Sequence, residues 1–290
     1  MHMKSISEIG TTTKLCGIIG NPVSHSMSPA IHNRAFEALD LDFVYLAFEV
    51  ENIKAVLDCM RTIRSFRGLS VTIPHKVAVI PFLDEVDDVD AGIGSVNTVV
   101  NNDGRLRGFG TDGPGARQAL ISNGVVLKDK EILVLGSGGA ARAIAFDLAY
   151  HAEPSGLSFL GIIEPELKGL AKDINEKSPL RADAALMDEA SLAAAVEKAD
   201  VLIQTTPVGM HPKEDRSLVP PKLMHQRLAV MDIVYNPLQT QLIKDAAERG
   251  LKTVSGLDMF VNQAALQFEA WTGKSAPVKM MRDVVLEKLG

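Results

Sequence analysis

KEILVLGSGGAARAIAFDLAY (residues 130–150) sets a short apolar run, a glycine-rich turn and an alanine-rich helical pattern end to end. Ile132 to Leu135 are apolar without interruption, as in a strand buried on both faces. Gly136, Gly138 and Ala141 fall on the fixed positions of the G-x-G-x-x-G/A motif, with Ser137, Gly139 and Ala140 between them. Such a turn needs residues without side chains so that a pyrophosphate can approach the backbone N–H groups at the helix start. A glycine pair alone occurs in many turns. The strand before this one and the helix after it make the reading a dinucleotide site, with a bare tight turn as the alternative.

Working outward, the pattern repeats toward the C-terminus. LSFLGII, ELKGLAKDIN, SLAAAVEKA, DVLIQT, LAVMDIVY and QTQLIKDAAERG alternate strand-like and helix-like segments, a Rossmann-like series. The cofactor follows from the end of the second strand, where an acid binds the ribose of NAD and an arginine accepts the 2′-phosphate of NADP. The chain offers Ile162-Ile163-Glu164-Pro165, with Lys168 the nearest cation. Glu164 reads equally as the ribose acid or as a solvated loop charge, since it lies farther along than the usual ~20 residues.

Toward the N-terminus, LCGIIG (15–20), FVYLAFEV (43–50) and FRGLSVTIP (66–74) read as strands, separated by the helical patterns SPAIHNRAFEALDL and NIKAVLDCMRTI. Ser28 is placed to cap the first helix, with Pro29 at its first position. Asp103-Gly104 between two β-rich runs signals a hairpin, and GPGARQALISNG then reads as a helix closed by Gly124. Two further helical patterns, MFVNQAALQFEAWTG and VKMMRDVVLEKLG, end the chain without a strand between them. The expectation is an α/β protein: residues 1–112 with 258–290 form an α/β domain with a mainly parallel sheet, and 113–257 the Rossmann-like dinucleotide-binding domain.

Composition narrows the functional classes. The 290 residues are 46% hydrophobic and 23% charged, with 30 Lys+Arg against 36 Asp+Glu and a net charge of -6. No basic run would track a phosphate backbone, so nucleic acid is not an expected partner. MHMKSISEIGTTTK lacks the apolar core of a signal peptide, and no apolar stretch reaches the ~18 residues of a membrane span. A cytoplasmic protein is expected, with Met1-His2-Met3 read as a cloning remnant. Cys16 and Cys59 show no metal or redox spacing and read as reduced core residues; no metal site is expected.

Polar residues gather where the first strands end. Ser26 and Ser28 in GNPVSHSMSP stand at a helix start, where N–H groups and the helix dipole favour an anion; a turn and a cap are the plainer roles. Thr72 and Lys76 flank IPH, Asn97 lies in SVNTV and Asp112 follows GFGT. Each has an ordinary alternative: Lys76 a surface lysine, Asn97 a turn residue, Asp112 the cap of the helix near Pro114. In open α/β sheets, however, ligands collect beyond the carboxyl ends of the strands, so these positions could converge.

These segments resemble one family. GIIGNPVSHSMSPAIHN (17–33), VTIPHK (71–76), GSVNTV (94–99), GTDGPG (110–115), GSGGAARA (136–143), TTPVGM (205–210), DIVYNP (232–237) and VNQAA (261–265) are similar, in order, to the motifs of the shikimate dehydrogenases. The resemblance implies reversible, NADP-linked reduction of 3-dehydroshikimate to shikimate in aromatic amino-acid biosynthesis. It implies that Ser26 and Ser28 hold the substrate carboxylate, and that Thr72, Asn97, Asp112 and Gln263 hold the ring hydroxyls. Lys76 and Asp112 would be the catalytic pair and Tyr235 the aromatic residue near the substrate. Thr205, Thr206, Met210 and Gly256 would pass the nicotinamide side. Hydride transfer to a ketone builds negative charge on oxygen, and Lys76 is a proton donor of the right type.

The chain also departs from the family pattern. Where members carry Asn-Arg-Thr after the second Rossmann strand it has Ile-Ile-Glu, so the 2′-phosphate clamp is missing and NAD is expected to serve at least as well as NADP. The serine pair speaks for shikimate over quinate, with quinate or an aminoshikimate as alternatives. A non-catalytic ligand sensor is the distant one, and a homodimer is left open.

Overall fold

A computed structural model describes residues 9–289; the reading of Met1–Met3 lies outside the described residues. The chain divides into two compact units, one running to Thr111 and resumed by Gln263–Lys288, the other spanning Asp112–Asn262.

In the first unit β1 (Lys14–Gly20), β2 (Phe43–Glu49) and β3 (Phe66–Val71) alternate with α1 (Ser28–Ala38) and α2 (Ile53–Thr62). β4 (Glu85–Val86), β5 (Thr98–Asn102) and β6 (Arg105–Phe109) complete a six-stranded sheet of order β2-β1-β3-β5-β6-β4. β1 pairs parallel with β2 and β3, and β4 with β6, while β5 is antiparallel to both its neighbours. The hairpin is the reason: Asp103 (φ 52°) and Gly104 (φ 93°) make the tight turn that reverses the chain. Ile19, Leu57, Met60, Leu69, Val99 and Leu106 form the core under this sheet.

Two helices close the unit, α10 (Gly256–Thr272), shared with the second unit, and α11 (Val278–Leu289). The indole of Trp271 lies against the backbone of Gly68, where a Cβ would overlap its ring, and its Nε1–H donates to the Val99 carbonyl at 3.1 Å. Because that bond holds the ring in place, Gly68→Ala is expected to cost about 3 kcal/mol, the upper end for overpacking, read as a lowered Tm.

The second unit is a six-stranded, wholly parallel sheet of order β12-β11-β10-β7-β8-β9. Its strands are β7 (Glu131–Leu135), β8 (Gly156–Gly161), β9 (Ala182–Leu186), β10 (Val201–Gln204), β11 (Ala229–Asp232) and β12 (Lys252–Val254). The helices are α5 (Asp112–Ser122), α6 (Gly139–His151), α7 (Glu164–Lys177), α8 (Glu189–Lys198) and α9 (Gln241–Glu248). The strand order reverses between β7 and β10, the switch point at which doubly wound sheets bind dinucleotides. Two short helices remain in the first unit, α3 (His75–Ala78) and α4 (Asp88–Ile93).

Several local expectations change. Ser28 is the first residue of α1 rather than its cap: Met27 holds the cap position and no side chain caps the helix. α5 begins at Asp112 itself, and α10 opens at Gly256. Cys59 is exposed on α2, while Cys16 is buried in β1. Among the described residues no helix is long and apolar enough to cross a membrane.

Candidate active site

In the first unit the carboxyl ends of β1 and β3, the start of β5 and the end of β6 lie along one edge of the sheet, as the pairings of Ile19 with Val71, Ser70 with Thr98 and Thr98 with Phe109 require. Backbone hydrogen bonds then tie the loops together. Thr72 N–H donates to the Ile19 carbonyl at 2.9 Å, Val71 N–H to that of Asn97 at 2.8 Å, and Val96 N–H to that of Lys76 at 2.9 Å. α3 is a single turn, anchored by His75 Nε2, which donates to the Val50 carbonyl at 2.6 Å. Thr72 and Lys76, on the connection that follows β3, and Asn97, on the one that precedes β5, are thereby interlocked. The Ser26 hydroxyl accepts from the Ser28 N–H at 3.2 Å, so a short local turn orders the serine pair, with Ser28 buried and Ser26 half-buried.

Asn97 is buried, and its Oδ1 accepts from Thr111 N–H at 2.8 Å and from the Thr98 hydroxyl at 2.8 Å. Its Nδ2 donates to Thr111 Oγ1 at 3.0 Å, and that hydroxyl donates to Gln263 Oε1 at 3.4 Å. Gln263 is thus brought to Asn97 through Thr111, the residue that precedes Asp112 in the chain. Thr111 and Thr98 carry no signal of their own in the sequence.

The remaining expected residues lie in the second unit: Asp112, Tyr235 and the cofactor segments. Gly136 follows β7 with φ 116°, and a Cβ there would come within 2.5 Å of Thr205 Oγ1. Thr205 follows β10 and donates its hydroxyl to the Leu135 carbonyl at 2.7 Å, which closes the switch point around the glycine. A Cβ on Gly138 or Gly139 would meet no protein atom within 4 Å, so packing does not demand glycine at either position. Open space over N–H groups at the start of α6 fits a pyrophosphate. Thr206 is fixed by Gln204, whose Oε1 accepts its N–H and whose Nε2 donates to the carbonyls of Thr206 and Val208, both at 3.0 Å. Met210 is exposed in the loop that follows. The Tyr235 ring stacks on Phe260 at 4.7 Å, and burial pushes its phenol pKa up.

The end of β8 does not fit a 2′-phosphate. Ile162 (79% exposed) and Ile163 follow that strand. Glu164 is the first residue of α7 and pairs with Lys168 at 2.7 Å, so the nearest cation in sequence is already engaged. Glu166, not singled out from the sequence, accepts from the Ser137 hydroxyl at 2.9 Å and puts a second carboxylate beside the glycine turn.

Asp232, at the end of β11, is buried, and burial raises its pKa to about 6 although the Thr240 hydroxyl (2.6 Å) and the Val234 N–H (3.0 Å) donate to it. An unfolded aspartate titrates near ~3.9, so between those values the native state holds the extra proton and stability falls as pH rises. Above pH ~6 the cost is constant at about 2–3 kcal/mol. Asp232→Asn, whose Oδ1 can still accept from the Val234 N–H while its Nδ2 donates to the Thr240 hydroxyl, is expected to raise Tm at pH 8 and to lose that advantage near pH 4.

Comparison with known proteins agrees with this geometry. Residues 18–99 match the shikimate dehydrogenase substrate binding domain, and residues 256–286 the shikimate 5′-dehydrogenase C-terminal domain. A shikimate dehydrogenase (NADP(+)) of Bacillus cereus is 42% identical over 288 residues, covering 96% of this chain and 99% of the relative. The chain belongs to the shikimate dehydrogenase family. The Listeria monocytogenes shikimate 5-dehydrogenase, solved with shikimate and NAD, superposes with a TM-score of 0.92 at 35% identity over 97% of this chain and 99% of that one. A quinate dehydrogenase of Corynebacterium glutamicum, solved with NAD, gives 0.88 at 29% identity over 95% and 99%.

Proposed function

We propose that this protein catalyses the reversible NAD(P)-dependent reduction of 3-dehydroshikimate to shikimate, working in the cytoplasm. The observation that carries the reading is the interlocking of Thr72, Lys76 and Asn97 at one edge of the first sheet, with Gln263 joined through Thr111. That edge offers hydroxyl, amide and ammonium groups to a ring acid bearing several oxygens. Ser26 and Ser28 hold the carboxylate, and Thr72, Asn97, Asp112 and Gln263 the ring oxygens. Tyr235 lines the site. The first unit is thus the substrate domain and the second the dinucleotide domain.

When bound, the nicotinamide supplies the hydride that reduces the C3 ketone. Lys76 gives a proton to the oxygen as negative charge develops there, and takes it back in the oxidative direction. Asp112 is its acidic partner in the catalytic pair. Gly136, Ser137, Gly138, Gly139 and Ala140 hold the pyrophosphate at the start of α6, and Thr205, Thr206, Met210 and Gly256 border the nicotinamide. With Ile163 in place of an arginine and carboxylates at 164 and 166, NAD serves at least as well as NADP.

The test is initial rates of reduced-cofactor formation by folded protein with shikimate or quinate, each against NADP⁺ and NAD⁺. Turnover of shikimate above quinate is expected. Absence of turnover in all four pairings would overturn the enzymatic reading and leave a ligand-binding sensor.

A further inference from the structure

Behind the substrate edge a chain of hydrogen bonds runs through the core of the first unit. The Tyr45 hydroxyl donates to Ser70 Oγ at 2.7 Å, and the Ser70 hydroxyl to Gln267 Oε1 at 2.7 Å. Gln267 Nε2 donates to the Asn97 carbonyl at 3.2 Å and to Thr98 Oγ1 at 3.0 Å. Thr98 passes its proton to Asn97 Oδ1 at 2.8 Å, Asn97 Nδ2 donates to Thr111 Oγ1 at 3.0 Å, and Thr111 donates to Gln263 Oε1 at 3.4 Å. Tyr45, Ser70, Asn97, Thr98, Thr111 and Gln267 are at most 5% exposed.

Two members admit only one sense. The Asn97 main-chain carbonyl can only accept, so the nitrogen end of Gln267 must face it and its oxygen must face Ser70. Ser70 must then donate, and Tyr45 must donate to Ser70. On the other side Thr98 receives a proton from Gln267, so its own goes to Asn97 Oδ1. Thr111 N–H can only donate, which also assigns the oxygen end of Asn97. The links from Tyr45 to Asn97 thus point one way; beyond them the Thr111 hydroxyl lies 3.2 Å from Asn97 Oδ1 and 3.4 Å from Gln263 Oε1, and Gln267 sits four residues after Gln263 on one face of α10.

We propose that Gln267 is a positioning residue for the substrate site: by holding the Asn97 carbonyl and turning the Thr98 hydroxyl onto Asn97 Oδ1, beside the Thr111 N–H, it keeps that amide oxygen engaged by the protein, so that Asn97 meets a ring oxygen of the substrate as an N–H donor. This rests on the shikimate reading for the identity of the substrate, not for the relay itself. It also sets a specificity. Ring oxygens with lone pairs are accepted, whereas an analogue with an ammonium in place of the hydroxyl at that position brings donors against donors and is rejected.

Ser70→Ala removes the donor to Gln267 Oε1 and loosens that amide's hold on Asn97 and Thr98, at the loss of a single oxygen. Its KM for shikimate is expected to rise about tenfold with the cofactor KM within twofold of wild type, and the rate on the amino-substituted analogue relative to shikimate should rise. Ser70→Thr, which restores the hydroxyl, should restore both values. The side-chain NH₂ resonances of Asn97, assigned through Asn97→Asp, should be sharp in the wild type and shifted or broadened in Ser70→Ala without any ligand. Gln267→Leu should behave like Ser70→Ala; if it does not fold, Tyr45→Phe takes its place. Unchanged amide resonances, or a shikimate KM and analogue ratio within twofold of wild type in these variants, would overturn the proposal. A wild type inactive on shikimate but with the amide changes present would overturn only the substrate assignment.

Discussion

Lys76→Ala is expected to lower kcat for shikimate oxidation by about 10²–10⁴, the usual worth of a positioned general acid–base group. The KM for shikimate should move by no more than a few-fold, because the lost interaction belongs chiefly to the transition state. The substitution separates chemistry from folding. α3 is held by hydrogen bonds that do not use the lysine ammonium: Val96 N–H donates to the Lys76 carbonyl and the His75 Nε2–H to the Val50 carbonyl. Tm measured beside kcat tells a catalytic loss from a folding one. A variant retaining more than a tenth of wild-type kcat would remove Lys76 from the catalytic pair, and with it the strongest residue-level link between the resemblance and this chain's chemistry.

The second large effect concerns the cofactor. kcat/KM with NAD is expected to equal or exceed that with NADP, and Ile163→Arg should raise the NADP value at least tenfold while changing NAD little. Tenfold is ~1.4 kcal/mol, modest for a charge-assisted guanidinium–phosphate bond. The reasoning is electrostatic. A phosphate at the end of β8 would meet the carboxylate of Glu166, bonded to Ser137, and that of Glu164, whose attraction to Lys168 occupies the only cation near it in sequence. Matched kinetics showing NADP favoured by more than tenfold would mean that a cation from elsewhere in the chain serves the phosphate.

Much of this was legible in the sequence where local chemistry and fold agree. Ile132 to Leu135 with Gly136, Gly138 and Ala141 give strand, turn and helix as read, and Asp103-Gly104 gives the hairpin. The errors have physical causes. β9 went unnoticed because ADAAL at the edge of the second sheet is poor in β-branched residues and only its first residue is buried, so it shows no apolar run. Residue type alone places Ser28 as a cap, but the helix starts at that residue and Pro29 follows inside it. Cys59 was read as core because it lies among apolar neighbours, yet on a helix its face turns outward. The candidate site was half legible. Ser70 and Gln267 bond each other across 197 positions, and Thr98 and Thr111, although inside the family's motifs, are joined to Asn97 only by the fold; no local pattern announces such pairings.

The sole tryptophan gives the protein an unequal optical signature. Trp271 is buried among Gly68, Tyr45 and His32, with its ring centroid 5.2 Å from that of the histidine, whereas residues 112–262 contain no indole. Tryptophan emission therefore follows the opening of the first unit and is silent to the second, so a fluorescence melt and a circular-dichroism melt that disagree report separate unfolding of the two units rather than a faulty measurement. Burial lowers the His32 pKa to about 3, so the imidazole beside the indole stays neutral, and unable to quench as a cation, until the medium is strongly acidic. An emission loss at milder pH thus marks unfolding of that core, not titration within it.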